Sequence, residues 1–214
     1  KIHDNIVTII TGPAGSGKTH ISTGYGLQEM LWKNKFNRII LTRPIIEAGE
    51  SLGYLPGGLH AKVAPYMMPI YDILNKYISR SQIEQMIKDS QIMIMPLAYM
   101  RGTTMENSYV ICDEMQNATP QQFRLLLTRI GENSKVVITG DVTQSDLIFR
   151  KHNNANGLQH AINILEDVEN LSIVRMTHSS CVRPPIVADI DKKYRDFSNQ
   201  SGNIKINESN FDPV

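Results

Sequence analysis

Two short stretches hold most of the side chains that could do chemistry. The first, Gly12-Pro13-Ala14-Gly15-Ser16-Gly17-Lys18-Thr19, has the G-x-x-x-x-G-K-[ST] spacing of a loop that cradles phosphates. Glycines let main-chain amides curl around a β-phosphate. A helix opening at the end of the loop adds partial positive charge. Lys18 is placed to reach the β- and γ-phosphates, and the Thr19 hydroxyl to sit on Mg²⁺. Together with His20, the next residue, Gly12, Pro13, Ala14, Gly15, Ser16, Gly17, Lys18 and Thr19 form the expected nucleotide contacts. The second stretch is the pair Asp113-Glu114, which ends the apolar run from Tyr109 to Cys112. There Asp113 is expected to hold Mg²⁺ through its water shell, and Glu114 to orient and polarise an attacking water. The second acid favours hydrolysis over phosphate transfer to a small acceptor.

A third polar cluster, Thr139-Gly140-Asp141-Val142-Thr143-Gln144, follows another apolar run. Gln144 is the expected sensor of the γ-phosphate or its water, and Asp141 a support for the metal or the loop; a capped turn is the bland alternative. Guanine-reading N-K-x-D has no match: Asn34-Lys35-Phe36-Asn37 lacks the aspartate and precedes a strand.

These clusters need elements that bring them to one place. Strand-length apolar runs cover residues 6–11, 38–42, 91–96, 109–113, 136–140 and 171–176. They are continuous rather than alternating, the pattern of a parallel sheet covered on both faces. Helices are expected at 19–33, at 120–130 behind a Thr119 cap, at 157–166 and at 184–197. The βα alternation predicts a doubly wound α/β domain over residues 1–197, with its ligands at the carboxyl ends of the strands. Residues 44–90, rich in Pro and Gly and then helical from 66 to about 88, read as an insertion on that edge. Residues 198–214 read as a polar tail.

The three strand-end clusters, joined to Leu41-Thr42-Arg43-Pro44, Glu47-Ala48-Gly49-Glu50, Leu52-Gly53-Tyr54-Leu55-Pro56-Gly57, Pro96-Leu97-Ala98-Tyr99-Met100-Arg101-Gly102-Thr103 and Leu127-Thr128-Arg129-Ile130-Gly131, resemble the PhoH-type ATPase family. The resemblance runs from about Ile6 to Tyr194. It implies a RecA-like P-loop core akin to superfamily 1 helicases, and a Mg²⁺-dependent ATPase tied to RNA. ATP rather than GTP follows from this kinship and not from a base-reading residue. Met115 and Thr103 depart from the family pattern, which favours a small apolar residue and Arg at those places.

Phosphoryl transfer draws on a positive charge beside the γ-phosphate, worth about 10³–10⁵ in rate when an arginine finger supplies it. With one core in view, a neighbouring subunit of a homo-oligomeric ring, such as a hexamer, is expected to supply it. The resemblance offers Arg183, in Cys181-Val182-Arg183-Pro184, and Arg129 is the second choice. Arg43 and Arg101, just beyond strands, are expected to touch phosphates of single-stranded RNA or DNA, with Tyr54, Tyr66 and Tyr99 as stacking faces. The competing expectation is an oligomeric ATPase or switch that acts on a protein partner. A net charge of +1 across 214 residues decides neither way. No apolar run approaches the roughly 20 residues of a membrane span. Cys112 and Cys181 lie far apart, which fits a reducing compartment; a cytoplasmic protein with no membrane partner is expected.

Overall fold

Six strands, all parallel, form one sheet in the computed structural model, which describes residues 1–44, 68–144 and 156–177, together with Pro184, Ile186, Val187, Asp189, Ile190 and Lys193. They are β1 (Val7–Thr11), β2 (Arg38–Arg43), β3 (Ile92–Pro96), β4 (Ser108–Cys112), β5 (Lys135–Gly140) and β6 (Leu171–Arg175), each within two residues of its expected bounds. Their spatial order is β3-β2-β4-β5-β1-β6. The expected doubly wound α/β architecture is therefore what the chain adopts, consistent with a RecA-like P-loop core. Register pairs Thr11 with Gly140 and Arg175, and Thr42 with Cys112. The carboxyl ends of β2, β4, β5 and β1 thus lie side by side along one edge.

Helices cover both faces, which is why the strands are apolar throughout. Every residue of β1, β4 and β5 is buried. On one face Ile10, Ile39, Leu41, Tyr109, Ile111 and Val137 pack with Leu27 and Met30 of α1 (Lys18–Leu31) and with Ile83 and Met86 of α2 (Arg80–Lys88). On the other, Ile9, Ile40, Val110, Cys112, Val136 and Ile138 pack with Phe123 and Leu126 of α3 (Pro120–Leu127) and with Leu158, Ala161 and Ile162 of α4 (Gly157–Ile164).

Local signals explain the helix ends. Thr119 accepts from Gln122 N while the Gln122 side chain accepts from Thr119 N, a capping box ahead of Pro120. At the far end Thr128 Oγ1 turns back onto the Arg124 and Leu125 carbonyls, and α3 stops at Leu127 instead of running to 130. The helix expected from 66 to about 88 is not continuous. Residues 68–74 are helical, a turn follows, and α2 starts afresh because Ser79 and Gln82 form a second capping box. The rest of the insertion, including Tyr54 and Tyr66, lies outside the described residues.

The chain divides into two compact units, Lys1–Cys181 and Val182–Val214. Of the second unit, Ile186, Val187, Asp189, Ile190 and Lys193 are helical, and Ile186 and Ile190 are exposed. The domain boundary expected at 197 and Arg183 fall outside the described residues.

Tyr109 shows how tightly α1 is seated. It is fully buried, and its hydroxyl donates to the Ser22 carbonyl at 3.1 Å. A Cβ on Gly26 would run into its ring. Gly26→Ala is expected to destabilise the fold by about 1–3 kcal/mol through overpacking, more than the roughly 0.5–1 kcal/mol that alanine gains over glycine in a helix. Urea denaturation followed by circular dichroism measures the difference.

Candidate active site

The loop between β1 and α1 is bent by three glycines with positive φ: Gly12 at 156°, Gly15 at 79° and Gly17 at 85°. Gly12 has no room for a side chain, since a Cβ would lie 2.6 Å from the Met176 carbonyl. Its amide donates to the Gly140 carbonyl at 3.2 Å, which ties the loop to the end of β5. Ser16 Oγ donates to the Pro13 carbonyl at 2.8 Å. Gly17 is the N-cap of α1 and provides no side-chain cap, and the first turn holds no acid. The start of this 14-residue helix thus carries neither a side-chain cap nor an acid, and the partial positive charge of a helix amino terminus favours an anion there. Lys18 Nζ arches over the loop and donates to the carbonyls of Gly12 and Pro13 at 2.6 and 2.9 Å.

The acids lie beside this loop. Asp113 is buried, and its Oδ1 accepts from two hydroxyls, Thr19 Oγ1 and Thr139 Oγ1, each at 2.7 Å. Its amide donates to the Thr42 carbonyl at 2.9 Å, which anchors it to β2. Glu114 adopts φ 54°, a left-handed conformation that throws its side chain onto the edge, where it is 38% exposed. Both its carboxylate oxygens have partners. Oε1 lies 3.7 Å from an Arg43 guanidinium nitrogen, and Oε2 accepts from Gln116 Nε2. The buried Gln116 then accepts from the Asp141 amide at 3.1 Å through Oε1.

Asp141 is also buried. Its Oδ1 accepts from the Thr143 amide at 2.9 Å and the Thr143 hydroxyl at 2.7 Å, while Oδ2 has no partner within the described structure. The expected capped turn is therefore present, with an orphaned carboxylate oxygen besides. Gln144 donates its amide to the Asp141 carbonyl and is exposed on the same edge. Burial pushes the Cys112 thiol well up, so it stays a protonated core group.

Gly12 to Thr19, Asp113, Glu114, Gln144 and Arg43 are thus brought to one edge. His20 is exposed on the first turn of α1. Arg101 is exposed beyond the short helix Leu97–Met100 that follows β3. Arg129 is elsewhere. It follows α3, its carbonyl accepts from Met105 N at 2.8 Å, and Ile130 bridges Met105 just ahead of β4. That is the amino edge of the sheet, opposite the loop. Sequence reasoning missed Thr139 and Gln116. The available signals were a polar residue closing the apolar run from Val136 to Ile138, and a glutamine two places after the acid pair.

Asp113, the Thr19 hydroxyl and a helix amino terminus suit a divalent cation that arrives with phosphate oxygens. Such a cation, Mg²⁺ above all, keeps several waters and needs only one or two protein ligands. Among the described residues no group of three His, Cys, Asp or Glu could hold a metal by itself.

A family model described as PhoH-like protein matches residues 1–195. The PhoH-like protein of Synechocystis is 44% identical over 199 residues, which cover 93% of this chain and 59% of that protein. The PhoH-like protein of Bacillus subtilis is 44% identical over 183 residues, 86% of this chain and 56% of that one. Protein PhoH of Escherichia coli K12 is 42% identical over 175 residues, covering 81% and 48%. The chain spans about half to three-fifths of the length of these relatives.

Thr139→Val keeps the shape of the strand residue and removes one of the two donors to Asp113. A loss of about 1–3 kcal/mol in stability is expected for the under-satisfied buried carboxylate, read as a lower urea midpoint at unchanged slope.

Proposed function

The chain belongs to the PhoH-like family, and from that premise we propose that it binds ATP with Mg²⁺ and hydrolyses it in a cycle coupled to single-stranded RNA or DNA. The family and a phosphate-cradling loop on a parallel sheet fit a nucleotide-binding protein. One observation carries the finer reading. Thr19 and Asp113 lie 94 positions apart in sequence, and their side chains meet at 2.7 Å beside the uncapped start of α1.

In the proposed cycle the amides of the loop grip the β-phosphate, and Lys18 leaves the Gly12 and Pro13 carbonyls for β- and γ-phosphate oxygens. Thr19 Oγ1 and the Asp113 carboxylate, hydrogen-bonded to each other here, are the groups that would hold Mg²⁺. Mg²⁺, when bound, neutralises charge on the phosphate oxygens. Glu114 orients the attacking water, with Gln116 steadying its carboxylate against the Asp141 turn. Gln144 reaches for the γ-phosphate. The arginine comes from a neighbouring subunit of a homo-oligomeric ring, such as a hexamer, either as Arg183 or as Arg129. The place of Arg129 on the opposite edge makes it usable only in trans. Arg101 and Arg43 meet the phosphates of the strand. Among the described residues no helix is long and apolar enough to cross a membrane, and we assign the activity to the cytoplasm.

The alternative is an oligomeric ATPase or switch that acts on a protein partner. It gains from the Arg43–Glu114 contact, which gives one of the two arginines assigned to nucleic acid a partner inside the site.

Glu114→Gln is expected to keep nucleotide affinity while phosphate release falls about 10²–10⁴-fold, the usual worth of a positioned base. Lys18→Ala is expected to lose turnover outright. Malachite-green phosphate assays with and without single strands read both claims. Wild-type hydrolysis by Glu114→Gln removes the assigned base. A wild-type rate that neither RNA nor DNA raises transfers support to the protein-partner reading.

A further inference from the structure

Glu114 has both carboxylate oxygens engaged. Oε2 accepts from Gln116 Nε2, and Oε1 faces an Arg43 guanidinium nitrogen at 3.7 Å. A general base needs an oxygen turned to its water, so the contact that breaks more easily decides when this one can act. The two contacts are unequal. Gln116 is buried, and its Oε1 accepts from the Asp141 amide at 3.1 Å. Gly140 leaves the space for it, because a Cβ there would lie 2.7 Å from the same Gln116 oxygen. Arg43 is held less firmly. It ends β2, its side chain is 24% exposed, and 3.7 Å is an ion-pair distance, longer than a hydrogen bond. Pairs open to solvent are individually weak. Arg43 is therefore the partner that can be exchanged.

The backbone sets up this contact. The Asp113 amide donates to the Thr42 carbonyl at 2.9 Å, so β2 and β4 stay together up to the residues just before Arg43 and Glu114. There Glu114 leaves the strand direction with φ 54°. That conformation is uncommon for a residue with a side chain, and such outliers gather at sites and switches. It lays the carboxylate between Arg43 from β2 and Gln116 from its own turn. One strand further along the same edge, past β3, Arg101 is exposed. Neighbouring strands thus bring two guanidinium groups to this edge, and Arg43 is the one that faces the base.

We propose that the Arg43–Glu114 ion pair is a latch on hydrolysis, which keeps the Glu114 carboxylate from the attacking water until the phosphodiester backbone of a single strand takes the Arg43 guanidinium. This rests on the assignment of Glu114 as the base and adds the regulation of that site. A phosphate suits the exchange, because its oxygens match the guanidinium fork through paired hydrogen bonds, which the contact to Glu114 does not provide. Once released, Oε1 takes a proton from the water as the water oxygen bonds to the γ-phosphorus. The bond from that phosphorus to the departing ADP breaks, and the proton passes to solvent.

The test is steady-state phosphate release by the full chain at saturating ATP and Mg²⁺, with and without oligo-U or oligo-dT. The wild type is expected to turn over slowly alone and about three- to fivefold faster with a strand, the worth of a partly exposed ion pair. Arg43→Gln, which removes the charge, should come within about twofold of the stimulated wild-type rate with no strand present, and gain less than about twofold when one is added. Arg43→Lys, which keeps the charge, should stay within about twofold of the unstimulated wild type. The double variant Arg43→Gln/Glu114→Gln should be as slow as Glu114→Gln, so that the gain passes through the base. An unstimulated Arg43→Gln rate at or below that of the wild type overturns the latch. So does a gain that survives the loss of Glu114. A fast Arg43→Gln beside a wild type that no strand accelerates overturns the strand as the opener and gives that place to an acidic protein partner. No phosphate release by the wild type or Arg43→Gln, with or without a strand, overturns the hydrolysis reading itself.

Discussion

A buried carboxylate has to be compensated, and in this chain Asp113 is compensated by two hydroxyls. Thr19 brings the start of α1, and with it the phosphate loop, against the end of β4. Thr139 brings the end of β5 to the same oxygen. One atom therefore ties three strand ends together, because β1 feeds the loop, β4 carries the acid and β5 lies between them. An unpaired carboxylate at this depth would cost several kcal/mol, so the loop, the acid and the strand between them are placed as a unit. The same arrangement can be exchanged: the Thr19 hydroxyl is a donor to Asp113 here and is equally able to serve as a ligand to a cation.

A second polar chain runs along the edge from β2 to β5. Arg43 faces Glu114, Glu114 accepts from Gln116, and Gln116 accepts the Asp141 amide. Glu114 is the member closest to solvent, while Gln116 and Asp141 are buried. Displacement at either end, by an anion at Arg43 or a phosphate near the Asp141 turn, changes what holds the Glu114 carboxylate. On the proposed reading this is how an event at the crevice rim reaches the attacking water, with no large movement of the sheet.

Much of this was legible in the order of residues. The strands announced themselves as unbroken apolar runs, and Thr119 ahead of Pro120 marked the start of α3. The phosphate loop and the acid pair were readable from spacing because each works locally, through a turn or a strand end. What could not be read depends on which strands become neighbours. Thr139 meets Asp113 only because β5 sits beside β4, and Arg43 meets Glu114 only because β2 sits on its other side. Sequence spacing carries neither fact. Gln116 stands two places after the acid pair, but its role requires the Asp141 turn next to it. The break at Ser79 was a different kind of miss: the Ser79–Gln82 capping box is written in the sequence, and helical periodicity across residues 66–88 masked it. Arg129 reached the opposite edge because α3 must run the full depth of the sheet before β5 can begin parallel to β4.

The central claim is that Thr19 and Asp113 are two sides of a metal–phosphate site. The most direct measurement is a crystal structure with Mn²⁺ and a non-hydrolysable ATP analogue, with the metal located by its anomalous scattering. The account predicts a peak in direct contact with Thr19 Oγ1, one water away from the Asp113 carboxylate, and β-phosphate oxygens on the amides of residues 15–19. A metal bound away from Thr19, or an analogue whose phosphates leave that loop untouched while the Thr19–Asp113 hydrogen bond persists, would contradict it.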